Sequence, residues 1–349
     1  MSSNGTPTST APPEEKAPVS SESVATKARP QLLRNIAIPV VLTIFMVVLG
    51  FVVGGNTLTT LEEVLALVVF ATATNLLLGQ GGLVSFGQAV FYGIGAYTVG
   101  LGWLHWHLSF WLTFFLAPVV SALVAIPVGL VALRARKLYF ALSTLAFSEL
   151  AYQLAESRYN FTQGANGVFG PFIPSRLTIP INGYLFLLTV TVISLLLMWK
   201  VTRSPFGLVL RSIRENRERA QALGVNVYWH QLMAFVVSGF FCGLAGAMFV
   251  VYSQSAYPEL LDWTSSGSPI FMAVIGGMGT FLGPALGAFI YQFGHDELVR
   301  YVSDWQLVLG GVLLLIVMFW PDGILGSLTK VKWSEWRKSF GSKGSDSDD

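Results

Sequence analysis

The sequence has a single cysteine, Cys242, which lies in an apolar run. One thiol makes neither an internal disulfide nor a cysteine metal cluster, so cysteine usage says nothing about the redox compartment. Cys242 reads as a buried, inert thiol. Charge is scarce too, with 11% charged against 53% hydrophobic residues in a chain of 349. That balance, with a mean hydropathy of +0.61, excludes a water-soluble globule and requires lipid as solvent. No G-x-x-x-x-G-K-[ST] phosphate loop is present, which excludes ATP hydrolysis of that kind. No Ser, His and acid cluster and no paired carboxylates suggest hydrolysis, and Gly93-x-Gly95 lacks the third glycine of a dinucleotide fingerprint. No catalytic residue, cofactor, metal or nucleic-acid partner is therefore expected. His105 and His107 bracket Trp106 and read as an interfacial belt rather than a metal site.

What the chain does have is long apolar runs. They fall at Ile36 to Gly55, Leu61 to Gly79, Leu83 to Leu104, Phe110 to Leu133, Leu138 to Ala155, Ile181 to Trp199, Leu232 to Tyr252, Pro269 to Phe293 and Trp305 to Trp320. A spanning helix needs about 20 residues, so the expected fold is an all-α, polytopic transmembrane bundle of about 8–10 membrane segments. The 35 glycines and 10 tryptophans suit that medium, because small residues let membrane helices approach and indoles prefer the interface. Residues 1–35, rich in Ser, Thr, Pro, Ala and Glu, read as a disordered leader and not as a signal peptide. A membrane domain at 36–325 and a polar cytoplasmic tail at 326–349 complete the expected organisation.

Lys and Arg concentrate in cytoplasmic loops. If the start of the chain is inside, 18 of the 21 cations fall on one face, and only Arg158, Arg176 and Arg300 lie outside, provided the tail is also inside. Two cytoplasmic termini require an even number of crossings, yet nine runs are present. Pro269 to Phe293 is the run expected to break or re-enter, because Gly276, Gly277, Gly279 and Gly283-Pro284 interrupt it. Irregular backbone at membrane depth is tolerated only where protein or a watery cavity covers it. Gly79, Gly81, Gly82, Gly87, Gly93 and Gly95 interrupt the third run in the same way. With a division near residue 180, the broken runs are third in each half and the halves start in opposite directions, the pattern of an inverted-repeat transporter. The expected path lining is Gly82, Ser85, Gly87, Gln88, Gly276, Gly277 and Gly279. The alternative is that these glycines serve close helix packing, as Gly239, Gly243 and Gly246 are expected to do.

Glu149 reads as the one acid well inside a span, roughly 16 Å from Leu138 along a helix. With Tyr152, Gln153 and Glu156 it forms a polar stripe. It is a further path residue or, equally, a structural hydrogen-bonding group between helices.

The most explicit stretch is Ser204 to Gly224. Ser204 can cap a helix that Pro205 begins, and Gly224 can close it in the left-handed conformation. Within it Val209, Ile213, Asn216, Ala220 and Leu223 make one stripe, with Arg211, Arg214, Glu215, Glu218 and Arg219 around it. Glu215 precedes Arg219 by one turn, the favourable order for a helix ion pair. A capped, charged helix over Phe206 to Leu223 suits docking into a cytoplasmic motor. The blander reading is a helix lying on anionic lipid, against which the acids Glu215 and Glu218 argue.

Three stretches carry a family resemblance. Gly82-Leu-Val-Ser-Phe-Gly-Gln-Ala-Val-Phe-Tyr-Gly-Ile-Gly-Ala-Tyr97, Leu210-Arg-Ser-Ile-Arg-Glu-Asn216 with Ala222-Leu-Gly224, and Ala273-Val-Ile-Gly-Gly-Met-Gly-Thr-Phe-Leu-Gly-Pro284 resemble the branched-chain amino acid ABC permease family, its M-type subunit in particular. Tyr139 to Glu149, Thr162 to Gly167, Ala234 to Gly246 and Pro321-Asp-Gly-Ile324 extend the likeness over about Leu61 to Leu325. Gln163 and Ser268 depart from the family pattern, where glycine and an acid are usual. The resemblance implies a bacterial inner-membrane permease subunit of an ATP-driven importer. Its implied partners are two ATP-binding subunits, a second related permease subunit, a periplasmic binding protein and membrane lipid. It also implies that the coupling element to the ATPase comprises Arg211, Arg214, Glu215, Asn216, Glu218, Arg219, Ala220, Leu223 and Gly224. Branched-chain or other neutral amino acids are the expected substrates, with urea or short amides as the alternative. A stand-alone ion-coupled carrier is the rival of a different class.

Overall fold

The computed structural model describes residues 54–301 other than Arg136 and Pro171, with scattered residues within 46–50 and 307–326. The leader 1–35, most of the runs Ile36 to Gly55 and Trp305 to Trp320, and nearly all of the tail 326–349 lie outside the described residues. The expected parity of crossings and placement of the termini lie there too. The chain divides into Met1–Leu49, where Met46 to Val48 are helical, and Gly50–Asp349, which holds the bundle.

The bundle begins with α1 (Gly55–Asn75), which runs into a π-helical turn at Leu76–Gln80. Residues 81–87 are not helical. Then come α2 (Gln88–Trp106), α3 (Phe110–Ala132), α4 (Leu138–Ser157) and the single turn α5 (Tyr159–Thr162). After α6 (Pro180–Arg203), two short helices follow, α7 (Pro205–Glu215) and α8 (Arg217–Ala222). The long α9 (Val227–Ser253) leads to α10 (Trp263–Gly276) and α11 (Gly283–Tyr301). Among the described residues the only sheet pairs β1 (Val168–Phe169) with β2 (Ser255–Ala256), antiparallel, Val168 opposite Ala256. The all-α, polytopic expectation therefore holds for the described residues.

Four helices are long and apolar enough to cross a membrane: Thr57–Gln80, Phe110–Ala132, Pro180–Arg203 and Val227–Ser253. Their environments differ. In the most apolar stretch of each, 83% of residues are buried in the first and 78% in the last, against 33% and 39% in the second and third. So α1 and α9 form the centre, and α3 and α6 present apolar side chains outward, as a lipid-facing wall does. Phe70 of α1 stacks on Tyr92 of α2 at 4.5 Å, and Phe91 of α2 meets Phe235 of α9 edge-on at 5.3 Å. The α2–α9 crossing depends on Gly246, where a Cβ would collide with the Tyr92 carbonyl oxygen. This is the close approach that small residues permit between membrane helices.

The run Pro269 to Phe293 resolves into two helices whose outer ends lie beyond it, with residues 277–282 between them. α10 has 14 residues, about 21 Å of helix, against about 30 Å of hydrocarbon. Gly277 has φ +111°, a backbone that L side chains rarely adopt. In residues 81–87 the backbone donors go partly to side chains of other helices. Phe86 N donates to Thr144 Oγ1 of α4 at 3.1 Å, and at the start of α2 Ala89 N donates to Ser266 Oγ of α10 at 2.9 Å. Buried backbone away from helices must find such partners.

Candidate functional site

The structure builds a polar junction at the end of the bundle that carries α7. Pro205 occupies the first turn of α7 and Ser204 the position before it. The Ser204 hydroxyl does not cap the helix; it donates back to Val201 O at 2.7 Å. The expected single helix over Phe206 to Leu223 is corrected to two. At Asn216 the backbone is extended (φ −153°, ψ 102°), and Asn216 Oδ1 accepts from Arg219 N at 2.9 Å, capping α8. The cap competes with continuation of the helix and wins because Asn bonds local backbone donors readily. Gly224, with φ +83°, ends the pair in the left-handed region as expected.

The break redistributes the expected docking residues. Ile213 and Ala220 are buried together with Val227, and Val209 and Val225 pack against them. Leu223, expected on the same stripe, is instead 79% exposed. Glu215, Asn216, Glu218 and Arg219 are exposed, and among the described residues no ion pair joins Glu215 to Arg219. The extended residue between them takes the two off a common helical face. Arg211 and Arg214 are exposed too, but their guanidinium groups reach back to the bundle. Arg211 Nε donates to Gln80 Oε1 at 2.5 Å, and Arg214 Nη1 donates to Gly79 O. Both acceptors belong to the π turn that leads into residues 81–87. Gly82, with φ +65°, lies under the Arg214 stem, where a Cβ would fall 2.9 Å from Arg214 Cγ. The same turn meets the second break: Asn75 Nδ2 donates to Thr280 O at 3.3 Å, and a Cβ at Gly79 would collide with Met278 O.

Gln88 opens α2 at the far end of residues 81–87. Its amide is fully buried, with Oε1 facing Ser238 Oγ at 3.1 Å and Cys242 Sγ at 3.2 Å. Ser238 stands 11 residues past the start of α9, roughly 16 Å along the helix, so Gln88 sits near mid-depth. The Ser238 hydroxyl also reaches Ala73 O at 2.7 Å. One hydroxyl proton serves only one acceptor at a time, but the Cys242 thiol also donates to Gln88 Oε1. Gln88 Nε2 has no hydrogen-bond partner among the described residues.

The other expected path residues scatter. Ser85 is buried and its Oγ accepts from Gly87 N at 3.3 Å, while Gly87 packs on Thr144 of α4. Gly276 packs on the Gly283 backbone, and Gly279 faces open space. Glu149 is half-buried and accepts from Gln153 Nε2 of its own helix at 2.9 Å. Its neighbour Ser148 is the residue that faces inward, donating to Leu261 O at 2.6 Å.

The expectation that Glu149 is the one acid inside a span is corrected. Glu62 and Glu63 lie in α1 within the candidate span Thr57–Gln80, and Glu62 is 7% exposed, packed against Gly183 of α6. An apolar run that begins at Leu61 puts both acids near its edge. The helix starts at Gly55 and draws them in. Asp296 of α11 faces the same end of α1, accepting from Gln292 Nε2 at 2.9 Å and from Thr60 Oγ1 at 3.4 Å. His105 stacks on Phe161 at 5.1 Å and bonds its carbonyl at 2.8 Å, an aromatic arrangement.

The family model described as the branched-chain amino acid transport system permease component matches residues 56–318. The chain is 29% identical to the high-affinity branched-chain amino acid transport system permease protein LivM of Salmonella typhimurium, over 74% of this chain and 67% of that protein. It is 27% identical to the LivM of Escherichia coli, over 82% of this chain and 74% of the relative. A probable LivM of Methanocaldococcus jannaschii is 26% identical over 65% of this chain and 69% of its own length. No solved structure gives a significant match. With a family model covering most of the chain and membrane-length apolar helices in the same region, this is a multi-pass membrane protein that belongs to the branched-chain amino acid transport permease family.

Proposed function

We propose that this chain is one permease subunit of an ATP-driven importer in a bacterial inner membrane, moving branched-chain or other neutral amino acids delivered by a periplasmic binding protein. In this reading a second, related permease subunit completes the path and two separate ATP-binding subunits supply the energy. The α7–α8 pair is the coupling element. Its exposed side chains, Glu215, Glu218, Arg219 and Leu223, meet the ATPase. The observation that carries this reading is the bonding of the same α7 to the π turn through Arg211 and Arg214. A displacement of α7 by the motor pulls on Gly79 and Gln80 directly. Residues 81–87 then carry the displacement to Gln88 at mid-depth. Such transmission needs a contiguous physical connection between two sites, and hydrogen bonds to charged donors are among the stronger ones available.

The ion-coupled carrier gains candidate groups from Glu62, Glu63 and Asp296, since intramembrane acids serve proton relays. Membership of a permease-component family argues for the importer instead. The test is uptake of labelled leucine into vesicles containing this chain with its partner subunits. The importer reading expects uptake to need both the ATPase subunits and ATP, and to survive collapse of the proton gradient. Uptake by this chain alone, abolished by a protonophore, overturns it.

A further inference from the structure

On the outward wall of the bundle, α3, α6 and α9 leave an open apolar groove of about 500 Å³. Ala122 of α3, Leu197 of α6, and Val237 and Phe240 of α9 line it, with Lys200 and Ser204 on the side toward α7. Around it the wall is apolar and exposed, with Leu123 at 60% and Leu196 at 53%. A flexible chain from the surrounding lipid can fill such an open apolar groove. The side toward α7 has a different character. Lys200 has no hydrogen bond or ion pair among the described residues and is exposed. One turn on, the Arg203 guanidinium lies over the Trp199 ring at 4.6 Å, as an interfacial indole and a cation do. The Ser204 hydroxyl is already donated to Val201 O at 2.7 Å, which leaves Lys200 as the free donor at the mouth.

We infer that this groove holds one acyl chain of an anionic glycerophospholipid from the leaflet on the α7 side, with its phosphate at Lys200. An apolar groove with a lysine on its α7 side matches such a lipid in polarity and charge. Basic pockets between membrane helices bind anionic headgroups for this reason. The lysine stem lies along apolar surface while its ammonium reaches the phosphate. The site is independent of the substrate carried. Because Ser204 directly precedes α7, the lipid sits at the root of that helix.

The test is native mass spectrometry of the assembled transporter released from nanodiscs with equal phosphatidylglycerol and phosphatidylcholine. The wild-type complex retains phosphatidylglycerol preferentially. Lys200→Gln, at an exposed position, lowers that preference about fivefold, the effect of one cation near a headgroup. Val237→Trp fills the groove and removes retention of both lipids. Equal retention of the two lipids by wild type, or an unchanged preference in Lys200→Gln, overturns the site. So does efficient crosslinking of Leu197→Cys to a cysteine in the second permease subunit, because protein then covers the groove. The native Cys242 is buried and does not interfere.

Discussion

The two interrupted regions of this bundle are held in different ways. Residues 81–87 are stitched by side chains from elsewhere: Thr144 of α4, Ser266 of α10, and Arg211 and Arg214 of α7 acting on the π turn before them. Residues 277–282 follow a backbone-to-backbone contact between α10 and α11, in which Gly276 and Gly287 admit no side chain. A stitch of hydrogen bonds can be exchanged for others at small net cost, since each contributes about 1 kcal/mol. A close-packed glycine crossing has no such alternative, because interiors do not deform continuously. The comparison predicts that the first break moves more readily than the second, to which Asn75 and Gly79 join it.

The largest effect expected is at the rigid break. Gly276→Ala places a methyl against the Gly283 carbonyl, and the overpacking costs about 3 kcal/mol. Size-exclusion profiles of detergent extracts should lose the assembled peak. Gly279→Ala, where nothing lies within 4 Å, should keep it. Equal behaviour of the two would erase the distinction between the regions.

Next in size are the outward charges of α7–α8. Glu215→Arg and Arg219→Glu should cut recovery of the ATPase on co-purification by about tenfold or more, since a misplaced interface charge costs several kcal/mol. The fold should be unaffected, because both side chains are exposed. Undiminished ATPase recovery for both would remove α7–α8 as the docking surface.

The smallest effect is at Gln88. Gln88→Leu removes an amide that is not fully satisfied and leaves Ser238 bonded to Ala73 O. Stability should change by less than about 1 kcal/mol, since removing an unpaired buried group offsets the lost contact. Gln88→Glu, by contrast, buries a carboxylate at mid-depth and should destabilise the complex clearly. Thermal melts of the purified complex separate the two.

The main spans were legible because apolar runs of membrane length leave the backbone no choice but helix. The ends of the α7–α8 pair were legible too, since Pro205 and Gly224 act through their own backbone preferences. The break at Asn216 was missed although its signal was present: Asn is a strong capping residue, and Glu218 follows in the first turn. Glu62 and Glu63 were missed because a hydropathy boundary is not a helix boundary. The inward turn of Arg211 and Arg214 could not be read at all. Long side chains go where a partner lies, and Gly79 and Gln80 are more than 130 residues away in sequence. The one local hint was Gln80, a polar residue closing an otherwise apolar stretch.

The central claim is that α7 has two sides with two tasks, docking outward and transmission inward. Arg214→Ala tests it most directly, because it breaks the bond to Gly79 O and leaves Glu215, Glu218 and Arg219 in place. The measurement is ATPase co-purification and labelled leucine uptake on the same preparation of the assembled transporter. The account predicts full ATPase recovery with uptake reduced about tenfold, the loss of one hydrogen bond from a charged donor. Loss of the ATPase together with uptake, or normal uptake, would contradict it.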